Sequence, residues 1–417
     1  MLRRTDPWLL LVATATGACG VAGTDGSAPQ PDVNHAIAVD ELSLAPIELL
    51  GKRLFEDDAL SEPRGTSCAS WHDPAQAFQG NHGSAVEGVP AGSVPGTVAA
   101  RNAPTLLYAS LAPAFAFRFV EKETSTCQGS FVPVGGLFWD GRADTLEDQA
   151  KEPFLDPREM NNATPAAVVK KVRTGAYAEL ARTVLGAEAL GDEDAAWKGI
   201  ARAIAAFERS TRFHPFRSRF DDFLRGAAPQ SAEEARGFAL FKDPARGNCI
   251  ACHEGKEDSR DPRDWLFTNY RYEAVGGPRN AAIPDNHDPA RFDLGLCQRK
   301  GLADLAPPEK NVRSFCGAFR VPTLRNVART APYFHNGYFA TLASVLSFYA
   351  TRSAEPANWY PTDEHFFLHR FDDLPGALGE NVSDDEVPYD QAQGDRPRLT
   401  DADVADLTAF LETLTDR

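Results

Sequence analysis

Cys249-Ile250-Ala251-Cys252-His253 sets two thiols at C-x-x-C spacing and an imidazole directly after them. That pattern suits covalent attachment of a c-type haem: the thiols add across the haem vinyl groups and the histidine becomes the proximal iron ligand. The competing readings are a reduced cysteine pair, a disulfide or half of a zinc site. No second C-x-x-C completes a four-ligand zinc set. Ser67-Cys68-Ala69-Ser70-Trp71-His72 reads as an altered copy, with the first thiol and the histidine kept and Trp71 in place of the second thiol. Leu54-Phe55 and Leu60-Ser61 precede it, Asp73-Pro74 follows it, and Phe241-Lys242 precedes the second motif in the same way. Two such motifs, each after an L-F or F-type helix end, imply two related haem domains.

The elements around these motifs read as helices joined by irregular connections, with few alternating strand patterns. A short helix from Ala45 to Phe55 leads into the first motif. Thr164-Pro165 is a helix start, a capping hydroxyl followed by proline in the first turn, with Val168, Val169 and Val172 on one face. Trp197, Ile200, Ile204 and Phe207 form a core stripe at helical spacing. Ser231 to Glu234 is a capping box, and Thr400 to Asp403 opens a helix carrying Val404, Leu407, Phe410, Leu411 and Leu414. Gly80 to Arg101 reads as an irregular loop over a cofactor, and Gly276 to Asp293 is loop-rich. Phe115 to Phe119 is open between a strand and a pocket wall. The expected fold is mainly α: two cytochrome c-like haem domains with irregular loops, over residues 41–226 and 231–417, linked by Arg225-Gly226 to Gln230.

The chain of 417 residues is long enough for two or three domains, and its 43% hydrophobic and 24% charged content is that of a globular protein. A net charge of −16 excludes nucleic-acid binding through a basic surface and permits steering of a cationic partner. Arg3 and Arg4, the apolar run Trp8 to Ala13 and the small residues after it form an export signal over residues 1–18, too short to span a membrane. Residues 19–40 read as a flexible tether. Thr16-Gly17-Ala18-Cys19 resembles a lipobox without its usual leucine, so a lipid anchor at Cys19 stays open. The expected location is the periplasm or cell envelope.

Of seven cysteines, Cys127, Cys297 and Cys316 are left after the haem motifs and Cys19. An oxidising compartment permits one disulfide among them, and the sequence does not fix which. Cys297 with Cys316 is the expected pair, because it would staple a Gly- and Pro-containing loop and leave Cys127 free.

Further motifs extend the pattern: Arg101-Asn102-Ala103-Pro104-Thr105, Phe138-Trp139-Asp140-Gly141-Arg142, Pro157-Arg158-Glu159-Met160, Val321 to Asn326, and Ala331 to Gly337. With the haem motifs, they resemble the bacterial di-haem cytochrome c peroxidases and the related MauG enzymes from about Leu50 onward. Tyr270-Arg271-Tyr272, Asp293 to Cys297 and Phe348-Tyr349-Ala350-Thr351-Arg352 look most like the MbnH branch, whose members oxidise a tryptophan on a partner copper protein.

The resemblance implies two c-type haems and hydrogen peroxide as oxidant. The first haem, on His72, is the peroxide-reactive one; Glu159 takes the peroxide proton and returns it to the leaving oxygen. Gln149 and Pro153 match the distal-side spacing. Trp139 matches the tryptophan between the haems and is implied to relay one oxidising equivalent to the second haem. Asn102, with the backbone carbonyls of Thr330 and Pro332, matches an inter-haem calcium site. Peroxidases of this kind place methionine opposite the second haem's histidine. This chain has only Met1, in the signal, and Met160, beside Glu159. The MauG-like ligand is tyrosine, and Tyr349 falls at that point. The implied donor is a copper-binding partner protein's tryptophan, or else a cytochrome or cupredoxin.

Trp71 departs from the pattern. Attachment of the first haem is then through Cys68 alone, or not covalent; one base separates cysteine and tryptophan codons, so a recent replacement also fits. His82 is open between a displaceable distal ligand and a polar loop residue. The rival reading is a non-enzymatic, mono-haem electron carrier that has lost haem one.

Overall fold

The structure, a computed structural model, describes residues 43–81, 83–86, 88–121 and 129–417. The expected signal and tether, Cys19, His82 and Cys127 lie outside the described residues. Helix α1 spans Pro46–Glu56. Helix α2, Pro165–Thr174, starts where the sequence places it: the Thr164 side chain accepts from the Ala167 amide, satisfying one of the free donors of the first turn. Helix α3, Glu193–Glu208, buries Ile200, Ile204 and Phe207. These faces meet Leu50, Leu54 and Phe55 of α1 and Val168, Val169 and Val172 of α2 in one apolar cluster that also holds Trp71.

A second cluster repeats the arrangement. Helix α4 (Arg219–Leu224) contributes Phe220 and Leu224, and α5 (Ala232–Lys242) contributes Leu240 and Phe241. Helix α6 (Leu342–Thr351) adds Leu346 and Ala350; α7 (Asp401–Glu412) adds Val404, Leu407, Phe410 and Leu411. Capping boxes close the N-termini of α5 at Ser231 and of α7 at Thr400. In both clusters the helix before the haem motif crosses its partner through a glycine. A Cβ on Gly51 would overlap the Ala203 carbonyl, and one on Gly237 would overlap that of Asp406. The missing side chains let the two backbones touch.

Apolar packing changes over between Phe216, which leans on the first cluster, and Phe220, which sits in the second. Residues 225–230, read from sequence as the linker, form the turn between α4 and α5. Helix α4 therefore stands ahead of that turn yet packs with segments beyond it, because Phe220 is ringed by Phe238, Trp265, Phe267 and Phe410 at centroid distances of 5.3, 5.4, 5.3 and 5.7 Å. Residues 44–417 as a whole form one compact unit.

Strands are few among the described residues. β1 (Ala116–Glu121) pairs antiparallel with β2 (Gly129–Val134), from Ala116 opposite Val134 to Glu121 opposite Gly129. The segment read as strand or pocket wall is thus a strand. β3 (Tyr272–Glu273) pairs with β4 (Phe319–Arg320). The Gly135 amide donates to Tyr270 O at 2.9 Å and the Arg320 amide to Trp139 O at 2.8 Å, so this small β region stitches residues 134–139 to the later half. Cys297 and Cys316 form the expected disulfide.

Candidate functional site

The C-x-x-C-H stretch folds as one tight turn over Cys249–Ala251, opened by Asn248 at φ 48° and closed by a bond from the His253 amide to Cys249 O at 2.9 Å. Both thiols are free, which removes the disulfide reading. His253 Nδ1 lies 3.1 Å from Phe267 O. A carbonyl accepts only from a protonated nitrogen, so Nδ1 carries the hydrogen and Nε2 keeps its lone pair. Burial holds the imidazole down to about 4, so it is neutral at physiological pH and able to ligate metal.

The first motif repeats the closing bond and the histidine–carbonyl contact despite Trp71 and a different opening residue. Its helical turn runs over Cys68–Trp71, and the His72 amide donates to Cys68 O at 2.9 Å. His72 Nδ1 lies 3.0 Å from Phe78 O, and burial holds this ring down to about 4 as well. The two residues that supply these carbonyls, Phe78 and Phe267, both take left-handed backbone at φ 56° and 55°. The indole of Trp71 is buried, and its Nε1 donates to Ala91 O at 2.7 Å, which pins the loop expected to cover a cofactor. Cys68 is free, and burial pushes its thiol up to about 12, with Glu208 and Glu159 adding to the rise.

Each histidine faces a cavity. One of about 250 Å³ is lined by Cys249, Cys252, His253 and, from α6, Tyr349. Burial raises the Tyr349 phenol, so ionisation there needs a cation at the oxygen. Its ring stands 5.6 Å from Tyr389, over which Arg352 sits at 3.9 Å. The other cavity, of about 500 Å³, is lined by Trp71, His72, Gln149, Pro153 and Glu159. Thr145 caps the turn Leu146–Gln149, and Pro153 lies in the turn Glu152–Leu155 that comes next. Glu159 is fixed by its backbone, whose carbonyl accepts from the Ser93 amide at 2.8 Å. Burial raises its carboxyl to about 7, helped by Asp156 and opposed by Arg142 and Arg158.

Trp139 and Asn102 line both cavities. Trp139 Nε1 donates to Asn102 O at 2.8 Å, which fixes the indole in the wall between them. Arg101, mostly buried, bonds Asp140 at 2.6 Å and Asp293 at 2.6 Å, anchoring the strip Arg101–Asn102 to both halves. Asn102 Nδ2 donates to Pro332 O at 2.6 Å, and Thr330 and Pro332 line the smaller cavity. The structure therefore brings Asn102 and Pro332 into contact and sorts the other predicted residues onto two cavities with a common wall, except Cys68, which lines neither. Among the described residues, no cluster of three or more His, Cys, Asp or Glu side chains could hold a metal; the Asn102 set is amide and carbonyl oxygen instead.

Sequence reasoning did not single out Gln79, Glu208 or Tyr389. Gln79 and Glu208 sit beside legible features, next to the His72 loop and at the end of α3; Tyr389 lies in an irregular stretch with no local signal.

Comparison with known proteins places these features in context. Residues 46–229 match the family model described as di-haem cytochrome c peroxidase. The chain is 36% identical over 382 residues to the methylamine utilization protein MauG of Paracoccus denitrificans (strain Pd 1222), covering 88% of each. It is similar to the crystal structure of the diheme peroxidase BthA from Burkholderia thailandensis E264, with 42% identity, TM-score 0.81 and coverage of 89% and 86%. It also resembles a MauG-like protein associated with microbial copper homeostasis, at 27% identity, TM-score 0.60 and 91% of each chain.

Proposed function

The chain belongs to the di-haem cytochrome c peroxidase family, whose members are haem peroxidase-type oxidoreductases with two c-type haems, and on that premise we propose how its own residues divide the work. The observation that carries the proposal is the shared wall: Trp139 lines both the cavity of His72 and Glu159 and the cavity of His253 and Tyr349.

The haems, when bound, supply the redox chemistry: reduction of hydrogen peroxide at the first and storage of oxidising equivalents across the pair. Buried, neutral His72 and His253 fit them. Cys249 and Cys252 would attach one haem, and Cys68 would supply the other with at most one thioether, within two haem domains over residues 41–226 and 231–417. Glu159 takes the proton from peroxide and hands it to the leaving oxygen, while Gln149 and Pro153 shape the space around it. Tyr349, which lines the same cavity as His253, would offer its phenol oxygen to the iron of the second haem. Trp139 conducts the oxidising equivalent between the sides. Asn102, Thr330 and Pro332 would hold calcium through neutral oxygens, which suit that hard cation. The electron donor is a partner protein: a tryptophan of a copper-binding protein by the MbnH-like motifs, or a cytochrome or cupredoxin. The enzyme is exported to the periplasm by residues 1–18, with Cys19 as a lipid-anchor position.

The missing thiol at Trp71 favours a second reading, a mono-haem electron carrier. Haem counting by pyridine haemochrome and intact mass separates the two. Two haems, with peroxide perturbing both in the wild type and chiefly the first in Trp139→Phe, is the expected result. One haem and no peroxide response would sink the enzyme reading. Under the enzyme reading Trp71→Cys leaves haem content unchanged; under the carrier reading it raises it.

A further inference from the structure

Gln79 comes directly after Phe78, the residue whose carbonyl orients His72. Its side chain is 2% exposed and crosses to the other half of the molecule. There Nε2 donates to Asn102 Oδ1 at 3.0 Å and to Pro332 O at 3.4 Å, while Oε1 is buried with no hydrogen-bond partner. Leaving a buried amide oxygen unpaired is unfavourable by about 1–3 kcal/mol.

A half-turn of the amide exchanges its oxygen and nitrogen without moving the side chain. Oε1 then stands in the place of Nε2, next to Asn102 Oδ1 and Pro332 O. Two oxygens on one calcium ion, each about 2.4 Å from it and at right angles, lie roughly 3.4 Å apart. The spacings at Gln79 are of that size. Three oxygens at this range would repel one another without a cation among them.

We infer that Gln79 Oε1 is a ligand of the calcium ion between the haem pockets, joining Asn102, Thr330 and Pro332; this rests on the calcium reading proposed for those three residues. The consequence is local. Because Gln79 is bonded in sequence to Phe78, the cation holds the backbone that orients His72, and through Asn102 the backbone that holds the Trp139 indole. Every protein ligand in this set is neutral, so a carboxylate at position 79 should tighten the site and an apolar residue should weaken it.

The test is calcium binding by the chelator-stripped, haem-loaded protein, measured by competition with a calcium indicator. The wild type should bind one calcium ion. Gln79→Leu should weaken binding at least tenfold, with haem content measured to confirm that it folds. Gln79→Glu, which keeps the shape, should tighten binding several-fold and make affinity rise with pH. Equal affinity in wild type, Gln79→Leu and Gln79→Glu overturns the role of Gln79 while leaving calcium in place. Absence of any calcium binding by the wild type overturns the calcium reading itself.

Discussion

A carboxyl group that must take a proton from peroxide works only while it is ionised. Glu159 is held up to about 7, so the peroxide reaction should accelerate as pH rises through that value. Glu159→Gln should lower the rate by about 10²–10⁴-fold and flatten this pH profile, as read by stopped-flow mixing with peroxide. Glu208 lies outside the proposed chemistry, and burial lifts its carboxyl to about 8, with Arg209 opposing and Glu147 assisting the rise. Its Oε2 has no partner. A group raised in the folded state contributes its stability below the unfolded value, near 4.5, and loses it as pH climbs through 8. Glu208→Gln should therefore raise the melting temperature at about pH 9, where wild type carries the strained charge, and change it little at about pH 4. Residue chemistry was the most legible layer in the sequence: both histidine motifs read directly, because their spacing is local, whereas Glu159 was singled out by the family resemblance and not by its own surroundings. The use of Trp71 was not, since its indole is justified by a hydrogen bond to Ala91, which spacing alone does not disclose.

Helix α1 against α3 and helix α5 against α7 are the supports that carry the two motifs, and each crossing depends on one glycine. Gly51→Ala and Gly237→Ala should each push the helices apart and destabilise the protein by about 1–3 kcal/mol, seen as a lower melting temperature with secondary structure retained below it. The caps at Thr164, Ser231 and Thr400 and the stripe ending at Phe207 were readable, because capping and periodicity are properties of short windows. The glycine crossings were not, because a glycine inside a helix signals nothing about which backbone lies against it. Helix α4 shows the same limit: its packing with the later half is set by aromatic contacts from distant segments, while the turn signals at 225–230 mark only a change of direction. The left-handed Phe78 and Phe267, which aim both carbonyls at histidine, also escape a reading of residue types.

Across the whole molecule, the mainly helical architecture and the two-motif plan were legible, whereas the seam was not. Arg101 reaching Asp293 and Gln79 reaching Pro332 connect residues far apart in the chain. Asp416 is the clearest case. Its carboxylate accepts from Tyr108 Oη at 2.7 Å, from the Arg217 amide at 2.8 Å and from Asn326 Nδ2 at 2.7 Å. Asp416→Ala should leave those donors unpaired and reduce stability by about 2–5 kcal/mol, measured by urea denaturation of the haem-loaded protein. Tyr108 and Asp416 stand 308 positions apart, so this latch cannot fasten until the segment carrying Asp416 has been delivered. Until then this one fastening between the halves is missing, although the partners of the Arg101–Asp293 and Gln79–Pro332 contacts have already been made.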